Sequence, residues 1–281
     1  MYFICPKCGR TLERKEDGAA ACSMRHSFDR SREGYYNLLL ANGKDHGDNQ
    51  DMVNARRAFL SQGHYRPLGE RIATLSNANT PGGGVLLDAG MGEGYYTELI
   101  AMALEEGGKA PGTVLGFDIS KEACRKGAKR LSRYLSGQSK VGLEISVASS
   151  YRMPLATASV DTLVNVFSPL APEESRRVLR RGGKLIYVIP GADHLFQLKA
   201  KIYDEPYKNT PEEYTLPGFS LFDSEAVRFT MELGTPEEVR SLFMMTPYAY
   251  RTGKEGRERL MALRSLAVTA DFEILIFERT D

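Results

Sequence analysis

The segment Val85-Leu-Leu-Asp88-Ala-Gly90-Met-Gly92-Glu-Gly94-Tyr-Tyr-Thr-Glu-Leu-Ile constrains this chain more than any other. An apolar strand runs into a turn with a glycine at every second position, and an amphipathic helix follows at once. Glycines there admit positive φ and close approach of the backbone to a ligand, and the new helix presents its N-terminus. A second strand, Thr113 to Phe117, ends in Asp118, an acid placed to accept hydrogen bonds from a ribose diol. A dinucleotide fingerprint reads G-x-G-x-x-G, whereas here an acid precedes the glycines. A carboxylate at a strand tip repels pyrophosphate and attracts an ammonium or a sulfonium. S-adenosylmethionine (SAM) carries both charges and fits better than NAD.

Strand–helix alternation continues beyond this point. A helix is expected over 121–136, strands over 143–148 and 162–166, a helix over 172–180, and a strand over 184–189 after Gly182-Gly183. This is the order of a mostly parallel, doubly wound α/β sheet, the class I SAM-dependent methyltransferase fold. Ser149 follows the third strand, where it could reach an adenine edge. Asn165-Val-Phe-Ser-Pro169 ends the fourth, at the carboxyl edge where open sheets bind ligands, and Asn165 there suits holding a planar base near the methyl donor. The tail strand Phe272–Phe277 is expected to complete the sheet edge. Segment 206–260 reads as a helical region, an RNA cleft, or a dimer contact that would make the chain a possible homodimer.

The N-terminus carries a separate signal. Cys5-x2-Cys8-x13-Cys22-x3-His26 supplies three thiolates and an imidazole, the set over which a tetrahedral Zn²⁺ closes. Four protein ligands leave no open position, so the metal is expected to be structural. A segment of this size cannot fold on apolar burial alone, and the metal supplies what a core cannot. Cys124, in a helical context, reads as a small buried hydrophobe with no role. The expected organisation is a zinc-binding RNA-recognition module over 1–38, a loop and helical connector over 39–81, and the methyltransferase domain over 82–281. Within the connector, helices are expected from Asp51 and from near Pro67, with the polar stretch from Asn42 as a loop and 77–84 as a linker.

The composition is 42% hydrophobic and 26% charged, that of an ordinary globular chain. With no run long enough to span a membrane and no signal-peptide pattern, a cytoplasmic location is expected. Thirty-seven basic against 36 acidic side chains leave a net charge of +1. That mean does not exclude a polyanionic partner, because binding responds to local clusters, and Lys/Arg residues gather over 121–140 and 176–184.

Across nearly its whole length the chain resembles the RlmA family of 23S rRNA guanine-N1 methyltransferases. The match is carried by Cys5-Pro-x-Cys8, by Cys22-x3-His26-x-Phe28-Asp29-x3-Glu33-Gly34-Tyr35-x-Asn37-Leu38-Leu39, and by Ala55-Arg56-Arg57-Ala58-Phe59-Leu60-x2-Gly63-His64-Tyr65-x-Pro67-Leu68. Asp88 to Thr97 and Pro190-x3-His194-Leu195-x2-Leu198 extend it. Met91 departs from the family's glycine loop, and Asn165–Pro169 resembles the macrolide-resistance-associated branch. The resemblance implies methyl transfer from SAM to N1 of a guanine in a hairpin loop of domain II of 23S rRNA, with Tyr65, Gly92, Glu93 and His194 contacting SAM.

Guanine N1 carries a proton and lies on the Watson–Crick edge. A base or a stabiliser of developing charge on O6 is therefore needed, and the nucleotide must be unpaired or flipped out. Asp29, Glu33 and Asp51 are candidate bases, Arg56 and Arg57 candidate charge stabilisers, and Tyr35, Tyr36 and Phe167 candidate stacking partners. Two rival readings remain, a small-molecule methyltransferase of the same fold and a noncatalytic zinc-containing RNA-binding protein. The first has no evident use for a zinc module, and the second none for Asp88, the glycines and Asp118.

Overall fold

The structure, a computed structural model, describes residues 1–40, 47–210 and 214–281. The loop expected from Asn42 falls largely outside the described residues. Three short strands, β1 (Leu12–Arg14), β2 (Ala20–Cys22) and β3 (Ser27–Phe28), form an antiparallel ribbon in the order β1-β2-β3. Its first hairpin turns at Asp17-Gly18, where the Asp17 carboxylate accepts from the Ala19 N–H. A turn held by the Ser31 hydroxyl, which accepts from the N–H groups of Gly34 and Tyr35, then delivers β4 (Tyr36–Asn37).

Two connector helices follow, α1 (Gln50–Ser61) and α2 (Arg66–Asn79). Asn49 caps the first through the Met52 N–H, and Pro67 sits in the opening turn of the second, where its missing N–H costs nothing. Helix α2 runs three residues into the expected 77–84 linker, and the turn itself is tightened by the Gly84 N–H donating to the Pro81 carbonyl.

The main domain contains β5 (Val85–Ala89), α3 (Tyr95–Glu106), β6 (Thr113–Asp118), α4 (Lys121–Arg130), α5 (Ser132–Leu135), β7 (Gly142–Val147), β8 (Val160–Val166), α6 (Pro172–Val178) and β9 (Leu179–Pro190). The chain continues through α7 (Phe196–Ile202), β10 (Phe219–Leu233), α8 (Pro236–Met244), α9 (Tyr248–Arg251), α10 (Lys254–Met261) and β11 (Leu266–Arg279). The sheet order is β10-β11-β9-β8-β5-β6-β7-β4. Strands from β9 to β4 run parallel, and β11 is antiparallel to both its neighbours. Chain direction across the sheet reverses between β5 and β8, so the glycine turn after β5 opens at the switch point where such sheets bind ligands.

Three expectations change. The tail strand is not the edge; it is sandwiched between β9 and β10, and the edge is β10. Segment 206–260 is not uniformly helical, since 219–233 forms that strand, its side chains mostly exposed or half-buried in alternation until Met231 and Leu233 reach the core. The expected helix over 121–136 divides at Leu131. Strand β9 also begins earlier than expected. Val160 pairs with Leu179 and Thr162 with Lys184, so the intervening β9 residues bulge outward, with Gly182 at φ 76°.

Alternation along the strands sorts the core onto two faces. Leu86, Val114, Ile145, Val164 and Ile186 face the layer that includes α1, α2 and α3. Leu87, Leu115, Leu163 and Leu185 face the other way, and there they pack in one cluster with Phe3, Leu12, Ala20, Tyr36 and Leu38 from the N-terminal ribbon and the segments flanking it. The ribbon is thus part of the sheet's second covering layer. Phe3 bridges to Leu155, the Ile4 N–H donates to the Pro154 carbonyl, and β4 pairs in parallel with β7. No helix among the described residues is long and apolar enough to cross a membrane.

Candidate functional site

At the ribbon, the backbone folds two knuckles. The Gly9 N–H donates to the Cys5 carbonyl with Gly9 at φ 72°, and the Arg25 N–H donates to the Cys22 carbonyl. These turns bring the donor atoms of Cys5, Cys8, Cys22 and His26 within 4.8 Å of one another. Cys5 Sγ and Cys22 Sγ lie 3.4 and 3.5 Å from His26 Nδ1, and the Cys8 and Cys22 sulfurs are 3.6 Å apart. A tetrahedron built on ordinary Zn–S and Zn–N bonds has edges of about 3.3–3.8 Å, so the donor set fits Zn²⁺ and fills its coordination. Cys124 stands apart, fully buried, its thiol donating to the carbonyls of Asp118 and Ser146.

A cavity of about 410 Å³ lies over the carboxyl ends of β8, β5, β6 and β7. Of the residues singled out in the sequence, Tyr65, Gly90, Gly92, Glu93, Asp118, Ser149 and Arg56 line it. Gly90, at φ 86°, admits no side chain, because a Cβ there would meet the Ser168 hydroxyl at 2.4 Å. The N–H groups of Gly90 and Met91 donate to the Phe117 carbonyl, and the Gly92 N–H to Asp118 Oδ2. Met91, the departure in the glycine loop, has a dedicated seat. Cβ atoms on Gly116 and Gly127 would meet its sulfur and methyl at 2.5 and 2.4 Å, so two glycines on β6 and α4 make room for the thioether that anchors the turn.

Three acids surround this turn, and burial raises the pKa of each. Asp88, fully buried behind the glycines, is pushed up to about 7 by burial, against the pull of the Thr97 hydroxyl that donates to it. Asp118 moves in the same direction by burial, opposed by the Ser120 and Gly92 N–H groups. Glu93 is 1% exposed; burial raises it, opposed by Arg130, whose Nε donates to Oε2 at 3.0 Å, and by Arg57 at 3.8 Å. Glu93 Oε1 has no hydrogen-bond partner among the described residues. The Tyr96 hydroxyl, on the cavity wall, is also buried and unpaired. An acceptor and a donor left unsatisfied on two residues that line one cavity match the ammonium and carboxylate of a SAM amino acid moiety. The residues present therefore fit the cofactor.

The remaining predicted residues divide clearly. Arg56 forms an ion pair with Asp48, which lines the same wall, and its guanidinium approaches Gly92. Arg57 donates to the Lys126 carbonyl and backs Glu93 rather than lining the cavity. Asn165 is buried with an unpartnered Oδ1, but it alternates with Val164 and Val166 and so falls on the opposite strand face from the cavity-lining Val166. His194 stands behind the wall, in ring contact with Tyr65, Phe167 and Phe272. Burial, with the nearby Lys199 charge, lowers it to about 3, and its Nδ1 accepts from the Asp271 N–H. It is neutral and structural in this arrangement. Asp29 and Asp51 are exposed and Glu33 half-buried, and none of the three lines the cavity. Tyr35 and Tyr36 are core residues; Phe167 is 45% exposed on the cavity wall.

Sequence reasoning singled out neither Asp48 nor Tyr96. Tyr96 sits in the first turn of α3, immediately after the glycine motif, a position whose side chain the turn aims back at the ligand, and that was the available signal. Asp48 had none, because its approach to the cavity depends on the Ser120 hydroxyl donating to its carbonyl across the fold.

A doubly wound sheet with an acid-lined glycine turn at its switch point and a ribose-placed acid on the next strand defines a SAM-dependent methyltransferase. Residues 87–187 match the methyltransferase domain family, and residues 3–46 match the RlmA N-terminal zinc-ribbon family. The chain is 35% identical over 240 residues to a 23S rRNA (guanine(748)-N(1))-methyltransferase of Streptomyces fradiae, covering 83% of this chain and 80% of the relative. It is 34% identical to a putative 23S rRNA (guanine-N(1)-)-methyltransferase of Micromonospora griseorubida, covering 95% and 93%, and 30% identical to the Bacillus subtilis (strain 168) protein YxjB of the same description, covering 98% and 96%. The chain belongs to the RlmA-type family of 23S rRNA (guanine-N1)-methyltransferases.

Two expectations follow. Removing the metal with a chelator, or replacing Cys8 by Ser, lowers the melting temperature of the whole protein by about 5 °C or more, because the ribbon shares the sheet's core; an unchanged Tm by calorimetry contradicts this. For Asp88, the folded carboxyl holds its proton up to about 7 while the unfolded one releases it near 3.8. Its contribution is complete below the unfolded pKa and is lost as pH rises to the folded one. The stability of Asp88→Asn relative to wild type therefore rises between these values, by up to roughly 4 kcal/mol, and is level above. Denaturant titrations across this pH range read the difference, and a pH-independent difference refutes the assignment.

Proposed function

We propose that this protein transfers the methyl group of SAM to N1 of a guanine in 23S rRNA, in the domain II hairpin loop that the family resemblance implies. The observation that carries this reading is the position of the ribbon at the cavity mouth. The Arg152 guanidinium donates to the Pro6 carbonyl in the first zinc knuckle, and its neighbour Tyr151, 69% exposed, lines the cavity. Lys7, Arg10, Arg14, Lys15, Arg25 and Arg32 are exposed on the same ribbon. Phosphate contacts there would hold an RNA hairpin with a loop nucleotide over the cavity. By contrast, much of the 121–140 charge is committed within the fold, since Arg125 pairs with Glu122, Arg130 with Glu93 and Glu98, and Arg133 with Glu105.

Bound SAM supplies an activated methyl electrophile. Glu93 would receive its ammonium, the Tyr96 hydroxyl its carboxylate, Asp118 its ribose hydroxyls, and Ser149 its adenine edge. Guanine N1 must lose its proton as it bonds to the methyl carbon. With Asp29, Glu33 and Asp51 outside the cavity, we infer that Asp48 takes that proton, while Arg56 beside it offsets charge developing on O6.

The test is methylation of 23S rRNA transcripts with SAM, followed by primer extension, since a methyl on N1 stops the polymerase. Wild type gives one stop at a loop guanine. Asp48→Asn retains SAM binding and loses the stop. Transfer to a small molecule but not to RNA refutes the rRNA reading. Full transfer by Asp48→Asn removes it as the base, and lost SAM binding reassigns the Asp48–Arg56 pair to cofactor retention.

A further inference from the structure

We infer that the Phe167 ring is the platform on which the target base stacks during transfer, an assignment that rests on the rRNA reading above. The cavity divides along the sheet. Asp118, which ends β6, and Ser149, just after β7, suit a nucleoside, and the glycine turn that suits the amino acid end follows β5. The end of β8, on the other side of β5, is left for the acceptor, and the residue presented there is Phe167.

Its backbone is unusual for an aromatic residue. Phe167 adopts φ 54°, a left-handed conformation that bulky side chains avoid and that persists only where surrounding structure enforces it. The enforcement is visible on both sides. The Ser168 hydroxyl donates to the Ala89 carbonyl, fixing the following residue against β5, and the Phe167 N–H donates to the Val188 carbonyl on β9.

The ring packs against three others. Phe272 lies 5.4 Å away by centroid, Tyr65 6.4 Å, and His194 6.4 Å at an interplanar angle of 24°, so three buried rings support one half-exposed ring. Leu195, beside His194, is itself left-handed at φ 56°, so strained backbone lies on both sides of the stack. A rigid aromatic surface facing an open cavity, with its rotamer held from behind, is what a sequence-tolerant stacking contact to an unpaired base requires. Tyr35 and Tyr36 are excluded by burial. Tyr151 also reaches the cavity, but it stands on a loop and makes no ring contact among the described residues.

The test compares Phe167→Leu, Phe167→Tyr and Tyr151→Leu, measuring SAM affinity by calorimetry and kcat/KM for the rRNA transcript in parallel. Phe167→Leu is expected to lose about tenfold or more in kcat/KM with SAM affinity within about twofold of wild type, while Phe167→Tyr restores most of the rate. SAM affinity also reports whether each variant is folded. Full RNA activity in Phe167→Leu overturns the assignment. So does a matching loss of SAM affinity in both Phe167 variants, which would make the ring a cofactor contact, or a loss confined to Tyr151→Leu. Absence of RNA methylation by the wild type in the same assay would instead refute the rRNA reading.

Discussion

The site depends on one buried carboxylate that is only half satisfied. Burying an anion costs several kcal/mol unless it is paired and hydrogen-bonded. The fold gives Glu93 one strong partner, Arg130, itself tied to Glu98 on α3 and the Ser61 hydroxyl at the end of α1. Three helices are locked together around one side of the acid. The other oxygen, Oε1, has no hydrogen-bond partner among the described residues, nor has the Tyr96 hydroxyl, and both residues line the cavity. Asp88 behind and Asp118 beside it add negative potential held in check by burial. A cationic ligand relieves all three, whereas pyrophosphate would worsen each, and this is the physical reason the turn takes SAM and not a dinucleotide.

The second constraint is that the metal module and the catalytic sheet are not separable. The ribbon is too small for a core of its own, and the N-terminal residues Phe3, Leu12, Ala20, Tyr36 and Leu38, from the ribbon and the segments flanking it, pack on the sheet's second face. The same packing holds the first zinc knuckle against the loop of Tyr151 and Arg152, where the Arg152 guanidinium donates to the Pro6 carbonyl and Tyr151 lines the cavity.

The parts of this arrangement that were legible in the sequence are those with dense local signatures. Cys5, Cys8, Cys22 and His26 announced a closed metal site by ligand type and spacing, and Asp88 to Gly94 with Asp118 announced the cofactor cavity by strand, turn and acid. What failed to show was set by long-range contact. Strand β10 alternates exposed and half-buried residues along a sheet edge, so nothing marked Phe219–Leu233 as a strand until it paired with β11. Asp29, Glu33 and Asp51 were reasonable bases by chemistry, but nothing local reports whether a carboxylate reaches a cavity. Asp48 does, through its pairing with Arg56 on α1 and a contact with Ser120, which lies far along the chain. Asn165 was displaced by the alternation of its own strand, and His194 was absorbed into an aromatic support.

The central claim is that Glu93 Oε1 is the receptor for the cofactor's positive charge. Calorimetric titration of SAM into wild type and Glu93→Gln, with circular dichroism to confirm an unchanged fold, tests it directly. The account predicts affinity about 10- to 100-fold weaker in the variant, since a charge-assisted hydrogen bond in a buried site is replaced by a neutral one. Equal affinity in the two proteins would contradict it.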